Sequence, residues 1–478
     1  MQLGEMVLRD YQSQAVESFL NEPGCLVAFD KGGGKTLTAL ALTEQRLATK
    51  AGPVLVISDK VSPWQDTFNE AGLPGERLHC LAETSAAWFK WLLEEPADGH
   101  YYVIHWAGIV PWLNVLSGIY WHSVLADEAH HAKNKSAART LGLKRLRTRF
   151  KVGLTADPDD DVPPSLWSLL NWLYPKRYTS YWRWIQLNFE VTEDKNHKTD
   201  TKYKVIGKPI NVKALREELK PFFVKLSMRE IDPDQPADLI EEILVDMHPG
   251  QREAYEQMVE WQMMELGDDI VIADYSVVKF TRLQQLAQAM GVAETRLVWR
   301  WCTTYDSEGN ETRERRQVET VRIRSVEPAP KLDALIDTLR TRDLGPTIVY
   351  SQFPDFLELA CKRLSDAGLT HIAVKDSSQV TDAKRAFERG DADIIIGTSG
   401  VMGESIRLPR ADTVIFLDTH YNPRVVGQAI GRGKLVGKRT PLRVIYIRTR
   451  NSVDMIRLDK ARTKQEWREA LLGDRGII

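Results

Sequence analysis

The chain has 478 residues, 43% of them hydrophobic and 27% charged, with a net charge of −2. That is the make-up of an ordinary globular protein long enough for two or three domains, each with its own core. The near-zero charge excludes a global pull toward nucleic acid, so any such binding must come from a local basic face.

In chain order, residues 25–29 form an apolar run that predicts a strand, followed by Gly32-Gly33-Gly34-Lys35-Thr36 and a helical pattern through Leu37, Leu40, Ala41 and Leu42. Strand, glycine loop, Lys-Thr and helix together form a phosphate cradle. Backbone amides and the helix N-terminus face the anion, Lys35 neutralises the terminal phosphates, and the Thr36 hydroxyl ligates Mg²⁺. The common pattern has a further glycine where this chain has Phe29. Strands at 54–58, 101–104 and 124–127 alternate with helical patterns around 39–48 and 86–95. The alternation predicts a parallel sheet with helices on both faces and ligands at the carboxyl ends of the strands.

The last of these strands runs into Asp127-Glu128-Ala129-His130. Adjacent carboxylates at a strand tip suit a magnesium nucleotide: one holds the metal, the other activates the attacking water. In isolation a solvated strand end would look the same; the glycine loop upstream favours the nucleotide. The basic run 144–151 reads either as a solvated helix end or as a nucleic-acid contact. Residues 166–184, rich in Trp, Leu and Tyr at helical spacing, predict a helical insertion, and the lysine-rich stretch 192–208 a loop or hairpin. Further helices are expected at 251–264 and 276–290. Residues 296–325 form a hairpin pattern turning at 306–310, its arginines interleaved with glutamates: an exposed edge hairpin, or again a nucleic-acid contact. A second βα series starts near Lys331, with strands at 347–350, 393–396, 413–417 and 442–446.

The expected fold is therefore α/β, with two parallel-sheet lobes. Residues 1–245 carry a helical insertion at about 159–245, and residues 246–478 a helical and hairpin insertion at about 246–330. The four cysteines, Cys25, Cys80, Cys302 and Cys361, have no metal-type spacing and predict buried thiols in a reducing compartment, without a structural metal. No apolar run reaches membrane-spanning length and no signal pattern opens the chain, so a cytoplasmic protein that does not engage a membrane is expected.

The ordered motifs resemble those of the Snf-type ATPases of helicase superfamily two. Leu8-Arg9-Asp10-Tyr11-Gln12 is similar to that family's adenine-reading motif, and Asp127-Glu128-Ala129-His130 is followed by its Lys133-Asn134. Gly153-Leu154-Thr155-Ala156-Asp157-Pro158 resembles the third motif, Tyr350-Ser351-Gln352-Phe353 the fourth, and Asp418, Tyr421-Asn422-Pro423 and Gln428-Ala429-Ile430-Gly431-Arg432 its most recognisable stretch. Gln251, Tyr255 and Lys331-Leu332 fit its interlobe connection.

The resemblance implies two RecA-like lobes with ATP and Mg²⁺ bound in the cleft between them, and a motor that moves along duplex DNA. Tyr11 and Gln12 would read adenine, and Gly32, Gly33, Gly34, Lys35 and Thr36 would hold the phosphates. Asp127 would hold Mg²⁺ through water, Glu128 would orient the attacking water, and Arg432 would be the arginine finger. His130, Thr155 and Gln428 would couple nucleotide state to nucleic acid, and Ser58, Lys60, Ser351, Gln352, Thr398 and Ser399 would contact DNA phosphates. Two departures stand out: Arg407 replaces an Asn, and Leu435 replaces a second arginine, with Lys434 and Lys438 near it. A strand-separating helicase and a non-hydrolysing ATP-dependent clamp remain alternatives.

Overall fold

The computed structural model describes residues 1–455 apart from 82–84, 157, 159–162, 196–201, 262, 267–268, 273–275, 306–310, 403–407, 419–422 and 435–436. Asp157, the hairpin turn at 306–310, Arg407, Tyr421, Asn422 and Leu435 therefore lie outside the described residues.

The chain divides into two compact units, Met1–Gln235 and a second from Pro236 onward. In the first, seven strands form one parallel sheet in the order Phe223–Leu226, Gly24–Phe29, Arg147–Leu154, Tyr120–Asp127, Val54–Ile57, Tyr101–Ile104, Leu78–Cys80. Gly24–Phe29, Val54–Ile57 and Tyr101–Ile104 are buried at every residue, which is why they read as unbroken apolar runs. Because all strands are parallel, the glycine loop after Phe29 and the carboxylates at Asp127 emerge at the same edge of the sheet.

The basic run 144–151 is neither wholly helix nor loop. Helix Ala138–Arg145 ends it on one side, and strand Arg147–Leu154 takes the rest. Phe150, Val152 and Leu154 turn into the core while Arg147 and Arg149 stay exposed. The helical insertion also joins the main body: helix Leu166–Leu173 buries Leu166, Leu169 and Leu170 in the cluster that holds Leu26, Leu55 and Val124. A second helix, Tyr181–Asn188, leads into the antiparallel strands Phe189–Lys195 and Lys202–Pro209, so 192–208 belongs to a hairpin.

In the second unit six parallel strands run in the order Leu239–Val245, Arg443–Thr449, Thr413–Phe416, Thr347–Ser351, Ile394–Thr398, His371–Val374. Leu239–Val245, assigned above to the end of the first lobe, pairs with Arg443–Thr449 and lies in this unit. Helix Pro249–Trp261 stops short of residue 264, where strand Met263–Leu266 pairs with Asp269–Ile272 instead. Helix Ser276–Gln288 follows. Strands Met290–Tyr305 and Glu311–Val326 then run antiparallel in unbroken register, longer than the hairpin expected from 296–325. Directly opposed Glu294 and Arg322 form an ion pair at 2.6 Å on it.

Lys331, in the first turn of helix Pro330–Thr341, is 1% exposed. Its Nζ donates to Asp454 Oδ2 at 2.6 Å, to the Leu417 carbonyl at 2.7 Å and to Gln288 Oε1 at 3.3 Å. One buried ammonium thus ties together the strand region ending at Leu417, helix Ser276–Gln288 and the segment after Arg443–Thr449. Removing one partner strands the other charge in the core, so Lys331→Met should cost the second unit about 3–5 kcal/mol in urea denaturation. Lys331→Met with Asp454→Leu should cost clearly less. Equal losses would show that the pair is not what holds these elements.

Candidate active site

Glycine shapes the phosphate loop. Gly34 takes φ 74° and ψ 32° just before helix Lys35–Thr49, and Gly32 takes φ 85°. A side chain at Gly34 would be strained by the left-handed backbone and would meet the Gln12 amide at 2.4 Å, and one at Gly33 would have to displace the Ile231 side chain, met at 2.7 Å. Helix Asp10–Phe19 holds the loop from outside. Tyr11 OH donates to the Gly33 carbonyl at 3.0 Å, and Gln12 Nε2 to the Gly34 carbonyl at 3.3 Å. Gln12 Oε1 accepts from Arg9 N at 3.0 Å, and the residue is 3% exposed. Its amide is therefore engaged by the loop, and adenine reading would require it to release Gly34.

Lys35 Nζ donates to the carbonyl of Phe29 at 2.9 Å. Phe29 is fully buried, its ring edge-on to Tyr11 at 5.2 Å. The departure from glycine thus places a side chain in the core while the loop uses the backbone carbonyl. Thr36 follows half buried in the first turn.

Asp127 ends its strand clamped by donors. Its Oδ2 accepts from Ser58 Oγ at 2.9 Å and Trp64 Nε1 at 3.1 Å, its Oδ1 from Glu128 N at 3.0 Å, and its own carbonyl from Trp106 Nε1 at 2.8 Å. Burial and the Glu128 charge push its carboxyl up to about 6, against the pull of Trp64, Ser58 and Lys35. Glu128 behaves oppositely. Burial would raise it, but the His130 hydrogen bond and the charges of His130, Lys35 and Lys31 hold it well below the usual carboxylate range. Glu128 also takes φ 47° and ψ 50°, a left-handed conformation that costs a glutamate about 1–3 kcal/mol.

His130, 5% exposed, joins the expected coupling pair: Nδ1 lies 3.3 Å from Thr155 Oγ1 and 3.3 Å from Glu128 Oε2. The sequence reading missed Trp64 and Trp106. It also missed a contact of His131 Nε2 with Asp59 Oδ2 and of His105 Nε2 with Asp59 Oδ1 at 3.4 Å. Burial opposes the Asp59 charge, but His131, His105 and His130 outweigh it and hold that carboxyl low.

The expected DNA contacts fare differently. Ser58 is 3% exposed, and its one O–H lies within reach of both Asp127 Oδ2 and the Lys60 carbonyl, so it positions a carboxylate and is closed to a DNA phosphate. Ser351, 1% exposed, donates to Asp418 Oδ2, which corrects that assignment for the same reason. Gln352 donates to Asp418 from Nε2 at 2.9 Å and from its backbone N at 3.0 Å. Ser399 is 7% exposed, Lys60 and Thr398 are half buried, and Thr398 Oγ1 accepts from Val401 N at 3.1 Å.

Arg432 lies half buried just past helix Pro423–Ile430, its N donating to the Ala429 carbonyl at 3.3 Å. Its charge pulls against the burial that pushes the Tyr350 phenol up. The Gln428 side chain lies outside the described residues. Lys434 pairs with Asp238 at 2.6 Å, and Lys438 with Asp412 at 3.1 Å and the carbonyls of Pro409 and Ala411. Both lysines near Leu435 are thus committed within the second unit.

Residues 11–292 match the SNF2-related domain family, and residues 330–434 the helicase conserved C-terminal domain family. The chain belongs to the SNF2-related family. The Transcription regulatory protein SNF2 of Saccharomyces cerevisiae is 24% identical over 96% of this chain and 27% of its own length. The human SWI/SNF-related matrix-associated actin-dependent regulator of chromatin subfamily A member 1 is 23% identical over 96% of this chain and 43% of its own. The chain thus spans less than half the length of these relatives. The helicase domain of Pyrococcus furiosus Hef is similar in fold, with a TM-score of 0.55 at 16% identity over 95% of this chain and 98% of that one. Two parallel-sheet α/β lobes of the helicase type are the shared architecture. Among the described residues no helix is long and apolar enough to cross a membrane.

The Asp127 clamp has a pH signature. With its carboxyl raised to about 6, the folded protein holds that proton more tightly than the unfolded chain, so this group's contribution to stability is lost as pH rises through about 6. The Trp64 hydrogen bond offsets part of that loss because it favours the ionised form. Trp64→Phe should therefore destabilise more at pH 8 than at pH 5, by about 1 kcal/mol, the excess of a charged over a neutral hydrogen bond. Urea denaturation at the two pH values measures it; equal losses at both would mean that Trp64 acts only by packing.

Proposed function

We propose that this chain is a DNA-stimulated ATP hydrolase that uses turnover to move along duplex DNA. The observation that carries the reading is the meeting, at one edge of one parallel sheet, of a left-handed glycine opening helix Lys35–Thr49 and the Asp127–Glu128 pair, in a chain of the SNF2-related family. Lys35 gives up the Phe29 carbonyl for the terminal phosphates, and the helix N-terminus receives them. The Thr36 hydroxyl and the Asp127 carboxylate are hard oxygen donors that fit Mg²⁺, which supplies charge neutralisation at the phosphates when bound. Glu128, held ionised at neutral pH, orients the attacking water. His130 links Glu128 to Thr155, so a change at the water-orienting carboxylate reaches the end of the neighbouring strand.

The arginine finger that the resemblance implies is Arg432. Lys434 and Lys438 do not replace it, since both hold other partners and an ammonium lacks the fork of a guanidinium. Duplex DNA is the partner because this is the SNF2-related family and its relatives include a regulator of chromatin. Contacts to phosphates make binding insensitive to sequence and steep in salt. The buried Cys25 and Cys80 and the half-buried Cys361 fit a reducing compartment.

Steady-state ATPase assays with duplex, single-stranded and forked DNA and with RNA test the reading. Lys35→Ala should abolish hydrolysis with the fold intact, and Glu128→Gln should bind ATP without turning it over. Duplex DNA should stimulate the wild type, less so as salt rises. Wild-type turnover by Glu128→Gln would remove its assignment; robust fork unwinding without a duplex preference would favour strand separation.

A single trans arginine is worth roughly 10³–10⁵ in rate. With Leu435 in place of a second one, Arg432→Ala should be close to inactive even with DNA, while Leu435→Arg leaves ATP binding unchanged. Equal turnover by wild type and Arg432→Ala would place the finger elsewhere.

A further inference from the structure

Beyond the phosphate loop and the carboxylate pair, the first unit brings two lysines onto two aromatic rings. Trp167, on helix Leu166–Leu173, and Tyr181, at the start of helix Tyr181–Asn188, meet edge to face, with ring centroids 5.4 Å apart and planes at 79°. Lys135 Nζ lies 3.6 Å from the Tyr181 centroid and 5.9 Å from that of Trp167; Lys144 Nζ lies 5.2 Å from that of Trp167. Ring faces attract these ammonium groups without neutralising them. Neither lysine forms an ion pair or a hydrogen bond among the described residues. Lys144 is half buried, and burial together with the Lys135 charge pulls it down to about 8. Two like charges are thus held near each other on a partly dry surface.

A second observation is independent of the lysines. Trp167 is 7% exposed, and its indole N–H has no acceptor among the described residues. Buried donors are nearly always satisfied, so an orphan one leaves a hydrogen bond open to an incoming acceptor. One donor in want of an acceptor, beside two cations in want of an anion, is chemically complementary to a group with several charged oxygens.

We propose that Lys135, Lys144 and Trp167 form a phosphate-binding subsite on the first unit. The phosphate is either a backbone phosphodiester of nucleic acid, a source that rests on the function proposed above, or that of a small phosphate compound. The site is fastened to the candidate active site: Ser168 Oγ, beside Trp167, donates at 2.6 Å to the carbonyl of Ala132, in the short helix Ala129–Ala132 that follows Glu128.

The test uses the full chain labelled with 5-fluorotryptophan, the Trp167 resonance being the one absent from Trp167→Phe. Inorganic phosphate, blunt duplex DNA and sodium chloride at matched ionic strength are titrated in turn. Phosphate or duplex should move the Trp167 resonance in the wild type and leave it in place in K135Q/K144Q, while chloride moves neither. A response to duplex alone assigns the site to a nucleic-acid backbone; a response to inorganic phosphate alone assigns it to a small ligand; both uphold it. With duplex, K135Q/K144Q should also lower the slope of log affinity against log salt by about 2, and Trp167→Phe should weaken binding with the slope unchanged. If Trp167→Phe does not fold, a single tryptophan resonance that responds in the wild type and not in K135Q/K144Q carries the same meaning. No response to either phosphate source, or the same response in K135Q/K144Q, overturns the proposal. The readout needs no turnover, so it stands apart from the ATPase assay that decides the proposed function.

Discussion

The first unit is organised around the cost of burying one carboxylate beside another. Asp127 and Glu128 are sequence neighbours at a strand end, and each disfavours the charge of the other. Donors gathered from separate elements make the arrangement tolerable: Ser58 past one neighbouring strand and Trp64 from helix Ser62–Glu70 reach the carboxylate, while Trp106, past the next strand, fixes the Asp127 carbonyl. Glu128 is turned away by a left-handed backbone and given His130 instead. The result is a division: Asp127 is driven toward neutrality and Glu128 toward permanent charge. Two residues identical in chemistry acquire different roles from their surroundings alone.

The second unit repeats the device. There Asp418, just past strand Thr413–Phe416, is buried and pushed up by that burial, and it accepts from Ser351 at the end of the adjacent strand and from Gln352. In both sheets a serine at one strand end donates to an aspartate at the next. A parallel sheet favours this, since neighbouring strand ends lie side by side and their side chains share one rim. Such serines face inward to the rim, which is why two residues expected to touch DNA are closed to it. Lys331 and Asp454 apply the opposite solution in the same unit, a fully compensated pair in place of a surplus charge.

What the sequence revealed follows from how local each signal is. Tyr101–Ile104 and Gly24–Phe29 were legible because strands buried on both faces carry no polar residues. The glycine loop was legible because left-handed backbone leaves a chemical trace in residue type. Arg147–Leu154 was hidden, since its outward arginines read as a charged run although its inward residues alternate properly. Leu239–Val245 sets two adjacent glutamates among aliphatic residues, and nothing local tells which sheet it joins; its partner, Arg443–Thr449, comes much later in the chain. The same limit applies to the site. Lys35, Asp127 and Glu128 announce themselves by motif, whereas Trp64 and Ser58 act through contacts made only when distant strand ends are brought together.

That distinction bears on His130 and Thr155. Thr155 follows the strand that lies between the phosphate-loop strand and the Asp127 strand, and its backbone N donates to Val27 at 3.1 Å. His130 reaches it from the far side of the carboxylate pair, sharing one ring nitrogen between Thr155 and Glu128. With its proton on that nitrogen, the imidazole cannot serve both at full strength. The competition requires no long-range displacement of the sheet. It needs only that two acceptors share one donor in a buried place where losing a hydrogen bond is costly, which is the condition that the Asp127 clamp and the Glu128 turn together impose.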